Sequence, residues 1–219
     1  MENKIILDIS KLENFQDMNK ICRENFCTIG MGSSRNVFDI GESKVLKLAL
    51  NYAGLFQNSK EAHISKQGKF KIIPSLYGFD ENYKWIIVDK VNRDFDLNDY
   101  TWNKFNFSSV RLFKYSDALG KYIYSHGFNK DIVKYQDVLK SEIGKNMFFM
   151  ASHYKIILGD CKKKDSWGLE NDKLVILDYG LTGRIFNVFF NESNFINESL
   201  KYEGKIDFRK ISDFFQIED

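Results

Sequence analysis

The sequence is poor in the residues that build disulfide scaffolds, metal clusters and membrane spans. Its 219 residues include one proline, three cysteines and three histidines. Cys22, Cys27 and Cys161 stand at unrelated spacings, which excludes a Cys/His zinc pattern and indicates free thiols in a reducing compartment. No apolar stretch reaches the length of a membrane span, and the first ten residues lack a signal-peptide pattern. We therefore expect a cytoplasmic protein that does not enter a membrane.

Charge and histidine placement exclude further classes of site. The formal net charge is +2, which gives no reason to expect specific nucleic-acid binding. His63, His126 and His153 are far apart in the sequence and lack metal-ligand spacing, so we expect them to be structural or surface residues. With 43% hydrophobic residues, the chain can bury the core of one domain or of two small lobes.

The most informative stretch of the chain holds three aspartates. Asp160 and Asp165 precede a short apolar run of strand type, residues 173–177, and Asp178 follows that run directly before an aromatic residue and a glycine. A strand that ends in Asp-aromatic-Gly places a carboxylate at the mouth of a cleft. Carboxylates gathered in this way are the hard oxygen ligands that Mg²⁺ on a phosphate group requires. An ordinary solvated loop of charged residues is the alternative interpretation.

A second pattern lies nearer the start of the sequence. Gly30 and Gly32 are flanked by β-type residues, which predicts a strand-loop-strand hairpin, whereas a dinucleotide-binding glycine motif would open a helix. Lys47 alternates with apolar residues on the next strand and therefore faces inward, where an ammonium needs a counter-charge. The helix predicted after that strand contains one glutamate, Glu61. A plain hairpin turn and a surface glutamate are the alternatives.

Together these stretches resemble the protein kinase-like superfamily. Asp-x-Lys-x-x-Asp followed by Asp-Tyr-Gly is similar to its catalytic loop and metal-binding motif. The Gly-Asp version is more similar to small-molecule phosphotransferases of the aminoglycoside type than to eukaryotic protein kinases. The resemblance implies that Asp160 is the catalytic base, Lys162 the loop lysine, and Asp165 and Asp178 the Mg²⁺ ligands. Asp165 stands where the family has asparagine, and Tyr179 stands where it has phenylalanine.

The resemblance also implies an ATP site. Lys47 and Glu61 would form the ion pair that positions the ATP phosphates. The other residues implied to contact ATP lie in the glycine-rich loop and near the hinge: Gly30, Gly32, Ser33, Ser34, Arg35, Val37, Val88, Asp89 and Val91. Arg35 replaces the third glycine of the loop, and it could contact phosphate or substrate, or lie at the surface.

The fold that the resemblance implies is α+β and bilobal. Residues 1–91 would form an N-lobe with a small antiparallel sheet and one key helix, and residues 92–219 a mainly helical, reduced C-lobe. The resemblance covers about residues 27–182. The few residues after Gly180 cannot form the peptide platform of a protein kinase.

The function that the resemblance implies is transfer of the γ-phosphate of ATP, with Mg²⁺, to a protein hydroxyl. The G-x-G-S-S-R loop resembles that of small kinase-like proteins of bacteriophages and bacteria, which implies a substrate protein in the host cytoplasm, or autophosphorylation. Three alternatives stay open: a pseudokinase that acts as a binding or inhibitor module, transfer of AMP from the same cleft, and a small-molecule kinase.

Periodicity and capping residues predict the remaining elements. The expected helices cover residues 12–22 with Ser10 as N-cap, 57–66 with Asn58 or Ser59 as cap, 112–123, 139–154 and 206–217. Residues 92–107 are expected to form an irregular connector.

Overall fold

The computed structural model describes residues 2–124, 131–190 and 204–207. This part of the chain is α+β. Its α-helices are α1 (Glu2–Ser10), α2 (Phe15–Asn25), α3 (Tyr52–Lys66), α4 (Leu97–Phe105), α5 (Ser109–Tyr124), α6 (Gln136–Lys140), α7 (Glu142–Tyr154) and α8 (Gly183–Phe189). Its strands are β1 (Cys27–Met31), β2 (Arg35–Asp39), β3 (Lys44–Ala49), β4 (Leu76–Phe79), β5 (Trp85–Asp89), β6 (Trp167–Glu170) and β7 (Lys173–Ile176). None of the described helices has the length and apolar character needed to cross a membrane.

The first five strands form one antiparallel sheet in the order β1-β2-β3-β5-β4. In the centre of the sheet, Lys47 pairs with Val37 of β2 and with Ile86 of β5. Helix α3 connects β3 to β4. The α+β class and the antiparallel sheet with a helix between its third and fourth strands are therefore confirmed.

The described chain divides into two compact units. The first contains Met1–Ala62, Leu76–Lys90 and the described residues from Val188 onward. The second contains His63–Ser75 and Val91–Asn187.

These units differ in two places from the lobes expected at residues 1–91 and 92–219. Residues 63–75 belong to the second unit, because Ile64 and its apolar neighbours lie in the core of that unit. The described residues after 187 belong to the first unit. The expected boundary between residues 91 and 92 lies one residue after the observed division between Lys90 and Val91.

The first unit opens with two helices rather than one. The expected N-cap at Ser10 is wrong, because Ser10 ends α1 and Asn14 caps α2 by accepting from the backbone N–H groups of Gln16 and Asp17. The buried ammonium of Lys84 donates to the carbonyl of Ser10, the last residue of α1, and to that of Leu12 just after the helix. Such a cation satisfies carbonyls that a helix end leaves unpaired.

The second unit is mainly helical around a large apolar core. The expected connector over residues 92–107 is wrong, because it contains α4, which Asp96 caps through the N–H groups of Asn98 and Asp99. The helix expected over residues 139–154 begins only at Glu142, because Ser141 takes an extended conformation between α6 and α7 and caps α7.

Two expected features fall beyond the described residues. One is His126, which was expected to be a structural or surface residue. The other is all but the first two residues of the expected helix over 206–217. Within the described part, Ile206 donates its N–H to the carbonyl of Glu13, and Phe15 donates to the carbonyl of Gly204.

Candidate functional site

The expected ion pair between Lys47 and Glu61 is present in the first unit. Lys47 Nζ lies 2.6 Å from Glu61 Oε2, and both side chains are buried, with Glu61 wholly inaccessible. The central strand β3 directs the lysine inward, and α3 presents the glutamate to it. A charge-assisted hydrogen bond of this length fixes both side chains in one orientation.

Arg35 makes the same carboxylate the centre of a three-residue charge cluster. Its Nη2 lies 2.9 Å from Glu61 Oε1, and its Nη1 donates to Asn58 Oδ1 at 3.2 Å. The arginine is 7% exposed, so it is not the surface residue that one of the two sequence interpretations allowed. Asn58 also donates to the carbonyls of Lys47 and Tyr83. We call Arg35, Lys47 and Glu61 the charge triad.

The tip of the glycine-rich hairpin is fixed to the start of α3. Ser34 is buried and donates its hydroxyl to Gln57 Oε1 at 2.9 Å, while the carbonyl of Ser33 accepts from Asn51 Nδ2. The N–H of Gly32 donates across the turn to the carbonyl of Arg35. The hairpin that the sequence predicted is therefore confirmed. It is held by hydrogen bonds of its own, with two of its polar side chains directed into the protein.

Asn51, rather than the expected Asn58 or Ser59, caps α3. Its Oδ1 accepts from the N–H of Gly54, and the helix begins at the next residue, Tyr52. Asn58 and Ser59 lie inside the helix and are buried. Asn58 accepts a hydrogen bond from Arg35 of the charge triad.

Replacement of Gly54 by alanine tests the packing of the hairpin on α3. A Cβ at Gly54 would lie 2.2 Å from the carbonyl oxygen of Ser34 and 3.0 Å from Ala49 Cα, so backbone has to shift. We expect Gly54→Ala to lower the free energy of unfolding by about 1–3 kcal/mol in a denaturant titration. Gly120→Ala is the matched control, because Gly120 lies in α5 with open space around its Cβ position. That variant should be neutral or more stable by about 0.5–1 kcal/mol. Equal effects of the two variants would contradict the close approach.

Three strand residues that were expected to contact ATP, Val37, Val88 and Asp89, have structural roles in the described chain. Val37 and Val88 pack in the core of the first unit with Val45 and Ile86. Asp89 accepts a hydrogen bond of 2.8 Å from the hydroxyl of Tyr77. Their expected contact with ATP stays a prediction.

Val91, the last residue expected at the hinge, belongs to the second unit. A Cβ at Gly168 of β6 would lie 2.3 Å from Val91 Cγ2, so only glycine fits beside it. Asn92 exchanges two backbone hydrogen bonds with Leu169. Val91 and Asn92 are therefore held against strand β6.

Backbone pairing in the second unit brings the two ends of the aspartate stretch together. Ile156 and Thr182 form an antiparallel bridge, and Ile157 donates its N–H to the carbonyl of Leu181 at 2.8 Å. Between these ends, β6 and β7 form a hairpin whose two turn residues, Asn171 and Asp172, both have positive φ. Asn and Asp tolerate this conformation better than other side chains.

Asp160 and Asp178 both act electrostatically on the buried thiol of Cys161. Asp160 lies in a short 3-10 helix, Leu158–Lys162, and Asp178 follows β7; both are exposed. Burial raises the pKa of the Cys161 thiol well above its usual range, and the negative charges of Asp178 and Asp160 raise that pKa further. Both carboxylates therefore disfavour ionisation of this thiol.

Asp165 and Lys162 are exposed at the rim of this loop. Asp165 Oδ1 lies 3.5 Å from Nη2 of Arg93, and both side chains are accessible. Among residues 2–124, 131–190 and 204–207, no three His, Cys, Asp or Glu side chains form a metal-binding group. Mg²⁺ on a nucleotide is bound through one or two carboxylates, with phosphate and water as its other ligands. The exposed carboxylates are of the type that such an ion requires.

Tyr179 is fully buried, in contrast to Asp178 beside it. Its ring belongs to the core of the second unit, and its hydroxyl lies 2.8 Å from Ser65 Oγ at the end of α3. Tyr179 therefore anchors the segment that carries Asp178. The hydroxyl bond to Ser65 is a contact that phenylalanine could not make.

Three features of these sites were missed in the sequence. They are the pairing of Arg35 with Glu61, the pairing of Arg93 with Asp165, and the burial of Cys161, whose pKa both aspartates raise. Only Arg35 had a usable signal, since an arginine opens β2 and points to the same side as Val37.

No family model, curated protein or solved structure matches the chain.

Proposed function

We propose that the chain is an ATP-dependent phosphotransferase of the protein kinase-like type. The observation that carries the proposal is the buried, short contact between Lys47 and Glu61. A lysine held inside a sheet by a helix glutamate is the arrangement that positions ATP phosphates in kinases. The backbone pairing that closes the loop carrying Asp160 and Asp178 supports the same function.

Each residue has a role in the proposed reaction. Lys47 binds the phosphates, and Glu61 fixes its ammonium. Asp160 accepts the proton of the attacking hydroxyl, which raises the nucleophilicity of that oxygen. Asp165 and Asp178 are the residues that would hold Mg²⁺. The exposed pair of Arg93 with Asp165 is worth at most about 1 kcal/mol, so it does not prevent Asp165 from binding an ion.

We propose a protein hydroxyl in a bacterial host, or one on the chain itself, as the phosphate acceptor. The support is the resemblance of the loop to those of small phage and bacterial kinase-like proteins. The proposed location is accordingly the host cytoplasm.

Nucleotide binding should be visible as thermal stabilisation. ATP with Mg²⁺ at 100 times its Kd should raise the free energy of unfolding by about 2.7 kcal/mol, which raises Tm by several degrees. The shift should require Mg²⁺ and should shrink in Asp178→Ala, because that variant lacks a carboxylate that would bind the ion. Asp172→Ala, at an exposed turn aspartate, is the matched control and should keep the full shift. No shift at saturating ATP and Mg²⁺, together with no heat in calorimetry, would contradict the proposed ATP site.

One observation favours a second candidate, a pseudokinase that binds a partner without transfer. Ser34 and Arg35 point into the protein, and the N–H of Gly32 already donates to the carbonyl of Arg35. The hairpin therefore offers fewer donors to phosphate than a mobile glycine-rich loop would. Nucleotide binding without labelled product would favour this candidate.

A further inference from the structure

A cluster of five aromatic rings, three of them exposed, lies on the second unit and includes no residue assigned a role above. Its members come from the end of α3, from the segment after it, and from the last turns of α7: His63, Phe70, Phe149, His153 and Tyr154. The ring centroids of neighbours lie between 4.7 Å, for His153 and Tyr154, and 6.3 Å, for Phe149 and Tyr154. We call this set the aromatic patch.

Part of the patch packs against the core of the second unit, and the rest is accessible to solvent. Phe70 and Tyr154 are half-buried and pack against the core of the second unit. Phe149 is 43% exposed, and His63 and His153 are exposed as well. Most of the ring contacts are edge-to-face, so the rings hold one another in fixed orientations. The result is a set of mutually packed rings of which Phe149, His63 and His153 are accessible.

Lysines outnumber acidic residues in the two segments that carry the rings. Residues 63–73 contain three exposed lysines and no aspartate or glutamate, and residues 142–159 contain two exposed lysines and one exposed acidic residue, Glu142 at the start of α7. One of the five, Lys155, donates to the carbonyl of Ser152 at the end of α7. Both histidines of the described chain are members of the patch. The formal net charge of the whole chain is only +2, but these two segments together carry an excess of lysine over acidic residues.

The combination of rings and lysines selects among anionic partners. An anionic membrane surface would call for exposed aliphatic or tryptophan side chains, whereas two of these five rings are imidazoles. An acidic peptide would use the lysines but would leave the ring faces without a partner. A single strand of nucleic acid uses both, because its phosphates meet lysines and its unpaired bases stack on Phe, Tyr and His rings.

We propose that the aromatic patch binds single-stranded nucleic acid, with bases stacked on Phe149 and His153 and phosphates beside Lys69, Lys71 and Lys145. The binding does not depend on base sequence, because stacking and phosphate contacts are common to all bases. It also does not depend on the proposed phosphotransfer, since the patch shares no residue with that site.

Fluorescence anisotropy with labelled oligo(dT) and oligo(U) of about 15 nucleotides tests the proposal. The full chain should bind both probes, and the affinity should fall steeply as NaCl rises from about 50 to about 200 mM. A duplex of the same length should bind more weakly, because its bases are already stacked on one another. A failure of ATP binding in the separate thermal assay would leave this result unaffected.

Two pairs of variants locate the contact. Phe149→Leu keeps an apolar side chain but removes the ring, so it should weaken binding about tenfold. Its control is Trp102→Leu, which removes an exposed ring outside the patch and should leave the affinity unchanged. Lys71→Glu should lower the affinity for the oligonucleotides and make that affinity less dependent on NaCl concentration. Its control is Lys20→Glu on α2, which should change the affinity and its salt dependence only slightly. Equal Tm values would show that each variant folds.

Three results would overturn the proposal. They are no binding to either probe at about 50 mM NaCl, unchanged affinity in both patch variants, and stronger binding to vesicles of anionic lipid than to the oligonucleotides. The last result would assign the patch to a membrane surface.

Discussion

Glu61→Ala should lower the free energy of unfolding by about 3–5 kcal/mol. The carboxylate is wholly buried and faces Lys47 at 2.6 Å and Arg35 at 2.9 Å, so its removal leaves two cations inside the protein without this partner. A cavity of a carboxylate's size adds to the loss. Chemical denaturation monitored by tryptophan fluorescence would measure the difference.

Two further variants separate charge from volume. Glu61→Gln keeps the shape of the side chain but not its charge, and it should still be destabilising by more than about 2 kcal/mol, because both cations lose their counter-charge. Glu42→Ala is the control for an exposed pair: Glu42 contacts Lys44 at 3.2 Å with its side chain 78% exposed, and its loss should cost at most about 1 kcal/mol. A loss below about 1 kcal/mol for both Glu61 variants would contradict the central position of this carboxylate.

Asp160→Asn should lower phosphate transfer by roughly 10²–10⁴-fold while ATP binding stays almost unchanged. The amide cannot accept the proton of the attacking hydroxyl, but it leaves the charge triad and Asp178 in place. Asp178→Asn should instead weaken binding of Mg²⁺ and ATP together, because it removes a charged ligand of the ion. Transfer measured with labelled ATP, and binding measured by calorimetry, would separate the two effects.

Asp172→Asn is the matched control for both substitutions. Asp172 is exposed in the turn between β6 and β7 at φ 59°, a conformation that asparagine also tolerates. Its variant should transfer phosphate and bind ATP as the wild type does. If Asp160→Asn kept full transfer, the base would have to be another residue.

The predicted and observed structures agree best where a local pattern carries its own physical requirement. Alternation on β3 buries Lys47, a buried ammonium requires an acid, and α3 contains one glutamate; the ion pair follows from these three facts. The hairpin at Gly30 and Gly32 follows in the same way from its flanking β-type residues.

The predictions failed where a tertiary contact outweighed the local signal. Arg35 occupies a glycine position of the family pattern, and nothing in its neighbours indicates that α3 supplies it with Asn58 and Glu61. Helix α3 begins five residues earlier than predicted because Asn51 caps it. Helix α4 was missed because its residues are mostly polar and aromatic, although Asp96 is an ordinary N-cap.

The aromatic patch shows a further limit of sequence interpretation. His63 and His153 are 90 positions apart, and each lacks a partner at a recognisable spacing. Folding of the second unit places both rings against Tyr154. Clusters assembled from distant segments leave no periodic signal, so the histidines were expected to have structural or surface roles only.

Transfer of label from ATP is the measurement that tests the proposed phosphotransferase most directly. The purified chain would be incubated with Mg²⁺ and either γ-labelled or α-labelled ATP, alone and with a bacterial lysate, beside Asp160→Asn. The proposal predicts protein-bound label from γ-labelled ATP only, with wild type and not with the variant. Label from α-labelled ATP would show transfer of AMP instead. Absence of labelled protein or small-molecule product from either form of ATP would contradict the proposed activity.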